Sequence, residues 1–439
     1  MKAKSRTLGA RRERARRADR HLPEWLLFML VSILCLAGAW QLQADRMADF
    51  FPKAYDGLGY YQWLPATFVT HDLNKMFWCH IITADKSISL FTLGVAVLQL
   101  PFFLLSQWLG WLFGYGNTGF STPNAVAMMV SVAVYAGAGA VFSFKLARRF
   151  SSTPAALLAV VGIFGCSNLY FFATDSPLMS HVYSFFLIAL FAWCSVRIVD
   201  GPRGWHVVAW LFSGALAVLI RQVNIVVFLF PLLLAWGSPG GLPEAWRNLL
   251  KNRTAFITGL LLGVVPWVLQ MMYWYHITGH VYANGYDYKD EHFQWDKMVP
   301  GLVLFSPISG WFVYSPVFLI VVATLIVHAW RNTRTARAIL LILVLTVLIY
   351  SAWWCWWLGA GYGYRGLIDL YGLLTIPFAW FFRSVLRRSI ALRVFTALVL
   401  FALVVLNFGM LREYCFDWCK PTWDLPQLME VVGRIAAGQ

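Results

Sequence analysis

An all-α polytopic membrane fold is what this sequence predicts, and three observations predict it. Stretches of about twenty apolar residues recur along most of the chain, each long enough to cross a hydrocarbon core as a helix. Charged residues make up 13% of 439, too few to clothe a water-soluble domain of this length. Those charges fall in short clusters at the ends of the apolar stretches, where membrane topology requires them. No interval between stretches is long enough for a second domain. The expected layout is a basic cytoplasmic tail over 1–24, one transmembrane domain over 25–411, and a tail over 412–439 on the far side.

Residues 1–21 hold nine Lys/Arg against two acids, a solvated positive-inside tail that also suits anionic lipid headgroups. The net charge of +15 invites a nucleic-acid reading, but bases placed at span ends argue against it. The run 25–40, ending near Ala37-Gly38-Ala39, also fits a signal peptide. On either reading the chain next emerges on the far side. Apolar runs at about 25–42, 123–144, 154–173, 180–196, 205–220, 223–236, 255–275, 311–330, 338–357, 367–382 and 391–411 read as about eleven spanning helices.

The run 88–114 is equally apolar, and charge counting decides its role. If it does not cross, every later basic cluster stays on the N-terminal side. The inner face then has 24 Lys/Arg and five acids, and the outer face 11 and 15. Orientation follows the basic excess in short loops, so 88–114 is expected to be a juxtamembrane or re-entrant segment, broken at Pro101. Such a segment needs protein or a water-filled cavity to satisfy its freed backbone groups. No parallel or inverted repeat is evident, which disfavours a secondary transporter, and there is no low-complexity linker.

On this topology the unusual polar residues share the outer face. The first outer loop, 43–90, holds Asp45, Asp49, Asp56, Asp72 and Asp85 beside Tyr55, Tyr60, Tyr61 and Trp63. Asp56, in Tyr55-Asp56-Gly57-Leu58-Gly59-Tyr60-Tyr61, is the candidate general base; Asp45 and Asp49 are its rivals, and a plain Asx turn is the structural alternative. Gly57 and Gly59 are expected to let a substrate approach the backbone, and Tyr60 and Tyr61 to offer aromatic faces to a sugar ring. Arg221 and Arg365, beside long apolar runs, suit a phosphate or diphosphate, which arginine holds with paired hydrogen bonds. Simpler readings stand beside them: Arg221 snorkelling to the interface, and Arg365 pairing with Asp369 four residues on. His181 starts a span and is a possible substrate contact. Asp287, Asp290, Glu291 and His292 have metal-ligand chemistry but match no template, and read as a solvated loop. Trp353-Trp354-Cys355-Trp356-Trp357 reads as an interfacial belt, with sugar stacking the alternative. Cys415 and Cys419 face the outer side and have the chemistry to close a small disulfide. No Walker loop or other nucleotide motif is present, and no redox cofactor is expected.

Taken in order along the chain, several of these features resemble the GT-C superfamily of polytopic glycosyltransferases, especially bacterial protein mannosyltransferases and aminoarabinose transferases. The resemblance runs from Trp25 to about Arg383. It rests on the Asp56 loop through Pro65, Leu98-Gln99-Leu100-Pro101-Phe102-Phe103, Lys145-Leu146-Ala147-Arg148-Arg149-Phe150 and Ser180-His181-Val182-Tyr183. The Arg221 helix end, Gly310-Trp311-Phe312-Val313-Tyr314-Ser315-Pro316 and Gly363-Tyr364-Arg365-Gly366-Leu367-Ile368-Asp369 complete it. The chain departs from the family in three places. Asp56 is followed by Gly57 rather than a second acid, Pro101 stands alone where the family has Pro-Pro, and Trp353-Trp354 is followed by Cys355-Trp356.

The resemblance implies an enzyme of a bacterial inner membrane, with a cytoplasmic N-terminus and a periplasmic site. A polyprenyl-phosphate sugar would be the donor, and a lipid, glycan or protein the acceptor. It gives Asp56 the base role and Arg365, with Arg221, the phosphate role. Tyr60, Tyr61, His181 and Asp369 become possible substrate contacts, and a divalent metal is left open. The alternatives are a lipid-linked polysaccharide ligase, polymerase or flippase, and a transporter or assembly partner.

Overall fold

The computed structural model describes residues 24–116, 118–359, 361–414 and 423–438. Helix α1 (Glu24–Gln43) opens the described chain, and a 3-10 turn (Ala44–Asp49) leads to α2 (Asp56–Tyr61) and α3 (Trp63–Phe68). Strands β1 (Cys79–Ile81) and β2 (Ser87–Ser89) form an antiparallel ribbon with Cys79 opposite Ser89. There follow α4 (Gly94–Leu112), α5 (Thr122–Phe150), α6 (Thr153–Cys166), α7 (Leu169–Thr174), α8 (Ser180–Asp200) and α9 (Gly204–Ile220). A 3-10 segment (Gln222–Phe228) runs into α10 (Leu229–Trp236), then α11 (Gly241–Leu250) and α12 (Arg253–Thr278). Next come α13 (Pro300–Phe305), α14 (Trp311–Tyr314), α15 (Val317–Trp330) and α16 (Arg334–Ser351). After a 3-10 turn (Arg365–Leu370) the chain ends in α17 (Tyr371–Val385), α18 (Ile390–Glu413) and α19 (Leu425–Ala436).

The fold is helical, 74% helix against 2% strand. Among the described residues seven helices are long and apolar enough to cross a membrane: α1 with its 3-10 turn, α4, α5, α8, α12, α16 and α18. There are eight if the bent pair 222–236 and 241–250 is one span. That is an all-α polytopic make-up, with fewer long helices than the eleven expected runs. Six of the eleven runs are among those seven, with α4 the seventh, and helix breakers split two of the other five. Run 154–173 splits where the Ser167 hydroxyl turns back to the Ile163 carbonyl and Asn168 spends its side chain on Tyr362 and Tyr371. Run 311–330 splits at Pro316, whereas run 338–357 is shortened but kept as α16, which stops at Ser351 before the tryptophans.

Packing gives the bundle two distinct ends. At the basic end, Glu24 bridges Lys145 and Arg148 at 2.7 and 3.1 Å, Arg149 pairs with Asp200 at 3.0 Å, and Asn248 donates to the Ile198 carbonyl. At the other end, Gln43 donates to the Asp175 carbonyl at 2.8 Å and Arg365 pairs with Asp56. Helix α1 is built into this bundle: a Cβ at Gly137 of α5 would collide with Ser32 and Phe28. Helix α8 is the most enclosed of the seven long helices, its Gly139 and Gly372 contacts on α5 and α17 bringing backbones close to Phe185 and Ala189. The outward faces of α12 and α18 are apolar, with Leu261, Met272, Leu398 and Phe401 exposed, a surface suited to lipid rather than water.

Helix α4 departs from expectation in one respect. The backbone runs unbroken through Pro101, whose missing N–H costs one bond to Val97 while its ring lies on the exposed side. Nineteen residues span about 28 Å, enough to cross by length alone. Yet both ends of α4 are held at the Asp56 end of the bundle. Its start is tied by Thr92 to the Leu219 carbonyl and by the Leu93 N–H to Gln270, and its far half by Ser106 to Asn124 at the start of α5.

Candidate functional site

Asp56 is the first residue of α2, and the chain reaches it through a strained step. Tyr55 has φ +46°, a region a bulky residue adopts at a cost of roughly 1–3 kcal/mol. Trp78 and Leu358, on the same cavity, also have positive φ, so backbone strain gathers at this place. The two glycines of α2 serve packing rather than substrate approach, which corrects the expectation for them. A Cβ at Gly59 would enter the Phe91 ring and one at Gly57 would press on Leu178. Helix α2 is thereby seated hard against its neighbours, and Asp56 faces inward.

Across from it stands Arg365, whose Nη2 donates to Asp56 Oδ2 at 2.7 Å with both side chains mostly enclosed. The expected pairing of Arg365 with Asp369 does not form. The 3-10 geometry of Arg365–Leu370 turns the two side chains apart, and Arg365 Nε is left buried with no acceptor among the described residues. The pair lies on the wall of a cavity of about 840 Å³, within the range of small-molecule sites.

One wall of that cavity is aromatic. Tyr60 packs on Phe91 at 4.5 Å between ring centres, Phe91 meets Tyr286, and Tyr286 meets Trp353. The loop 284–299 holds the tryptophan run by backbone bonds, Trp354 N–H to the His292 carbonyl and Gln294 N–H to the Ala352 carbonyl. Tyr364 fixes the Trp356 carbonyl at 2.8 Å. All of Trp353–Trp357 lines the cavity, so the run is a site wall rather than an interfacial belt alone. Burial pushes the Tyr286 phenol well above its ordinary value, which keeps it a neutral O–H on this wall. Lys289 and Glu291 reach the cavity from the same loop. Asp287, Asp290 and His292 do not line it, and among the described residues no three His, Cys, Asp or Glu side chains gather as a metal set.

Arg221 supplies the second cation, and it does not snorkel. Its Nε donates to Ser180 at 3.1 Å, Nη1 to Tyr350 at 3.2 Å, and Nη2 meets His181 Nε2 at 3.2 Å. His181 Nδ1 faces Asp369 Oδ1 at 3.5 Å, and Asn224 donates to Asp369 Oδ2 at 3.1 Å. Arginine has no acceptor, so His181 Nε2 accepts a hydrogen bond from Nη2 and Nδ1 carries the imidazole hydrogen on the Asp369 side, at 3.5 Å and short of a hydrogen bond. A carboxylate, an imidazole and a guanidinium thus stand in line, with only the guanidinium on the cavity.

This arrangement revises two sequence assignments. His181 and Asp369 are fully enclosed behind Arg221 and do not line the cavity. Tyr61 points away into a separate aromatic core with Phe51, Phe103 and Phe120 and donates to the Gly119 carbonyl, so only Tyr60 of the two tyrosines lines the cavity. Asp45 and Asp49 lie off the cavity, Asp49 being paired with Lys53 at 2.7 Å. Cys415 and Cys419 lie outside the described residues, as does most of the basic tail. Sequence reasoning missed Tyr350, Phe91 and Tyr286. Tyr350 sits inside an apolar run with no local sign of its role. No family model matches this chain, and no curated protein matches it.

Proposed function

We propose that this protein is a membrane glycosyltransferase of the GT-C type, moving a sugar from a polyprenyl-phosphate carrier to a hydroxyl on a lipid, glycan or protein. The observation that carries the reading is the Asp56–Arg365 pair at 2.7 Å on a tryptophan-walled cavity, with Arg221 on the same cavity. Aromatic walls suit sugar faces, and two permanent cations suit a phosphate. The charge count and the placement of α4 at the Asp56 end support a periplasmic site in a bacterial inner membrane, with the basic end cytoplasmic.

In the resting state Arg365 holds the Asp56 carboxylate. The donor phosphate draws the guanidinium through its unused Nε, which frees Asp56 to accept the acceptor's hydroxyl proton. The acceptor oxygen forms its bond to the sugar's anomeric carbon as the carbon–oxygen bond to phosphate breaks. Arg221 and Arg365 take up the charge on the departing polyprenyl phosphate. The proton ends on Asp56 and the products are a glycoside and the lipid phosphate.

The test is transfer from a lipid-linked sugar donor by the full chain in proteoliposomes. Asp56→Asn should cut turnover about 10²–10⁴-fold with donor binding retained. Full transfer by that variant would end the base role. Lipid translocation without any transfer would favour a flippase.

A further inference from the structure

A second groove lies at the basic end, far from the Asp56 cavity, and the proposed chemistry makes no use of it. About 500 Å³ in volume, it opens between the α8–α9 turn and the α11–α12 turn. Arg203, Lys251 and Arg253 line it with the amides Asn248 and Asn252, and no carboxylate does. Among the described residues none of the three cations has an ion-pair partner. The starts of α9 and α12 converge here, close enough that a Cβ on Gly204 would meet the Asn252 amide at 2.8 Å. Both helix dipoles therefore present their positive ends to the same hollow.

The surroundings place the groove at a membrane surface. Helix α11 turns by 111° from the apolar segment before it, so if that segment runs across a bilayer, α11 lies close to its plane. It exposes Leu242, Trp246 and Leu250, with Trp205 and Trp236 exposed nearby, while Arg247 and Lys251 stand beside them. An apolar edge with a cationic hollow behind it is the chemistry of an interfacial lipid site.

We infer that this groove binds the phosphate headgroup of an anionic phospholipid, with Trp246 and the leucines of α11 against its acyl chains. The occupant is taken as a lipid and not a free phosphate because α11 carries exposed Leu242, Trp246 and Leu250 on one side and lines the cationic groove with Asn248 on another. The inference stands apart from the proposed transferase activity.

The full chain, purified in neutral detergent, would be mixed with phosphatidylglycerol or phosphatidylcholine and the retained lipid counted by native mass spectrometry. Phosphatidylglycerol should be retained preferentially. Arg203→Gln, Lys251→Gln and Arg253→Gln should each weaken retention about fivefold. Arg387→Gln with Arg388→Gln, at the same end but outside the groove, should leave it unchanged, and thermal unfolding should confirm that every variant is folded. Millimolar inorganic phosphate should not displace the lipid. Equal retention of the two lipids, equal loss in the control variant, or displacement by inorganic phosphate would each overturn the site.

Discussion

Asp56 and Arg365 lie 309 positions apart in the sequence and meet at 2.7 Å, and among the described residues neither has another charged partner as close. The contact ties the first loop to the last one across the cavity. Removing either side chain alone leaves a largely enclosed charge without its partner. Asp56→Asn and Arg365→Gln should each therefore lower stability by about 1–3 kcal/mol. The double variant should recover much of that loss while activity stays absent, because the two sites are coupled. Thermal unfolding in detergent, read beside transfer activity, separates the two roles. Additive losses in the double variant would show that the pair is not an energetic unit.

The line Asp369–His181–Arg221 makes a second prediction. Arg221 is held at three of its nitrogens, and His181 is the contact that links it to the buried carboxylate. His181→Asn should leave the charge in place but loosen its aim, raising KM for the lipid-phosphate donor about ten- to hundredfold. The acceptor KM should move far less. An equal rise in both constants would point to general disruption of the cavity.

How much of this was visible in the chain follows from what each signal measures. Arg221 and Arg365 stood out because an ionisable group beside a long apolar run is costly, and Asp56 because glycines and tyrosines flank it in the first outer loop; both signals are local. The partners of those groups were not legible, since Arg365 has Asp369 within one helical turn and Asp56 only through the fold. Tyr60 and Tyr61 are adjacent, yet about 100° of helix rotation sends one to the cavity and the other to a core. Tryptophans flanking an apolar run look alike whether they face headgroups or a site, and only the docking of loop 284–299 onto Trp353 decides. Counting charges fixed a preferred topology from sequence; continuity through Pro101 depended on neighbours that the count does not see.

Helix α2 owes its seat to Gly59, whose missing Cβ is replaced by the Phe91 ring. Gly59→Ala should cost about 1–3 kcal/mol through overpacking and displace Asp56 with it. Phe91→Leu in the same chain should return part of that stability by vacating the contact. A Gly59→Ala variant with unchanged thermal unfolding would show that the contact yields freely.

The turn that follows α7 carries a pH dependence whose sign can be worked out. Burial raises the Asp175 carboxyl above its ordinary value, with the Ser176 hydroxyl and Arg46 offsetting part of that. A carboxyl raised in the folded state favours its protonated form there. Its contribution is therefore most favourable below the ordinary carboxylate range and is lost as pH rises through the raised value. Asn keeps the shape and the acceptor for Ser176 but has no charged form. The unfolding midpoint of Asp175→Asn should gain on that of the native chain as pH goes from about 4 to 7. A difference that stays constant over that range would mean that the carboxylate is solvated in the folded protein and the turn is not sensitive to its charge.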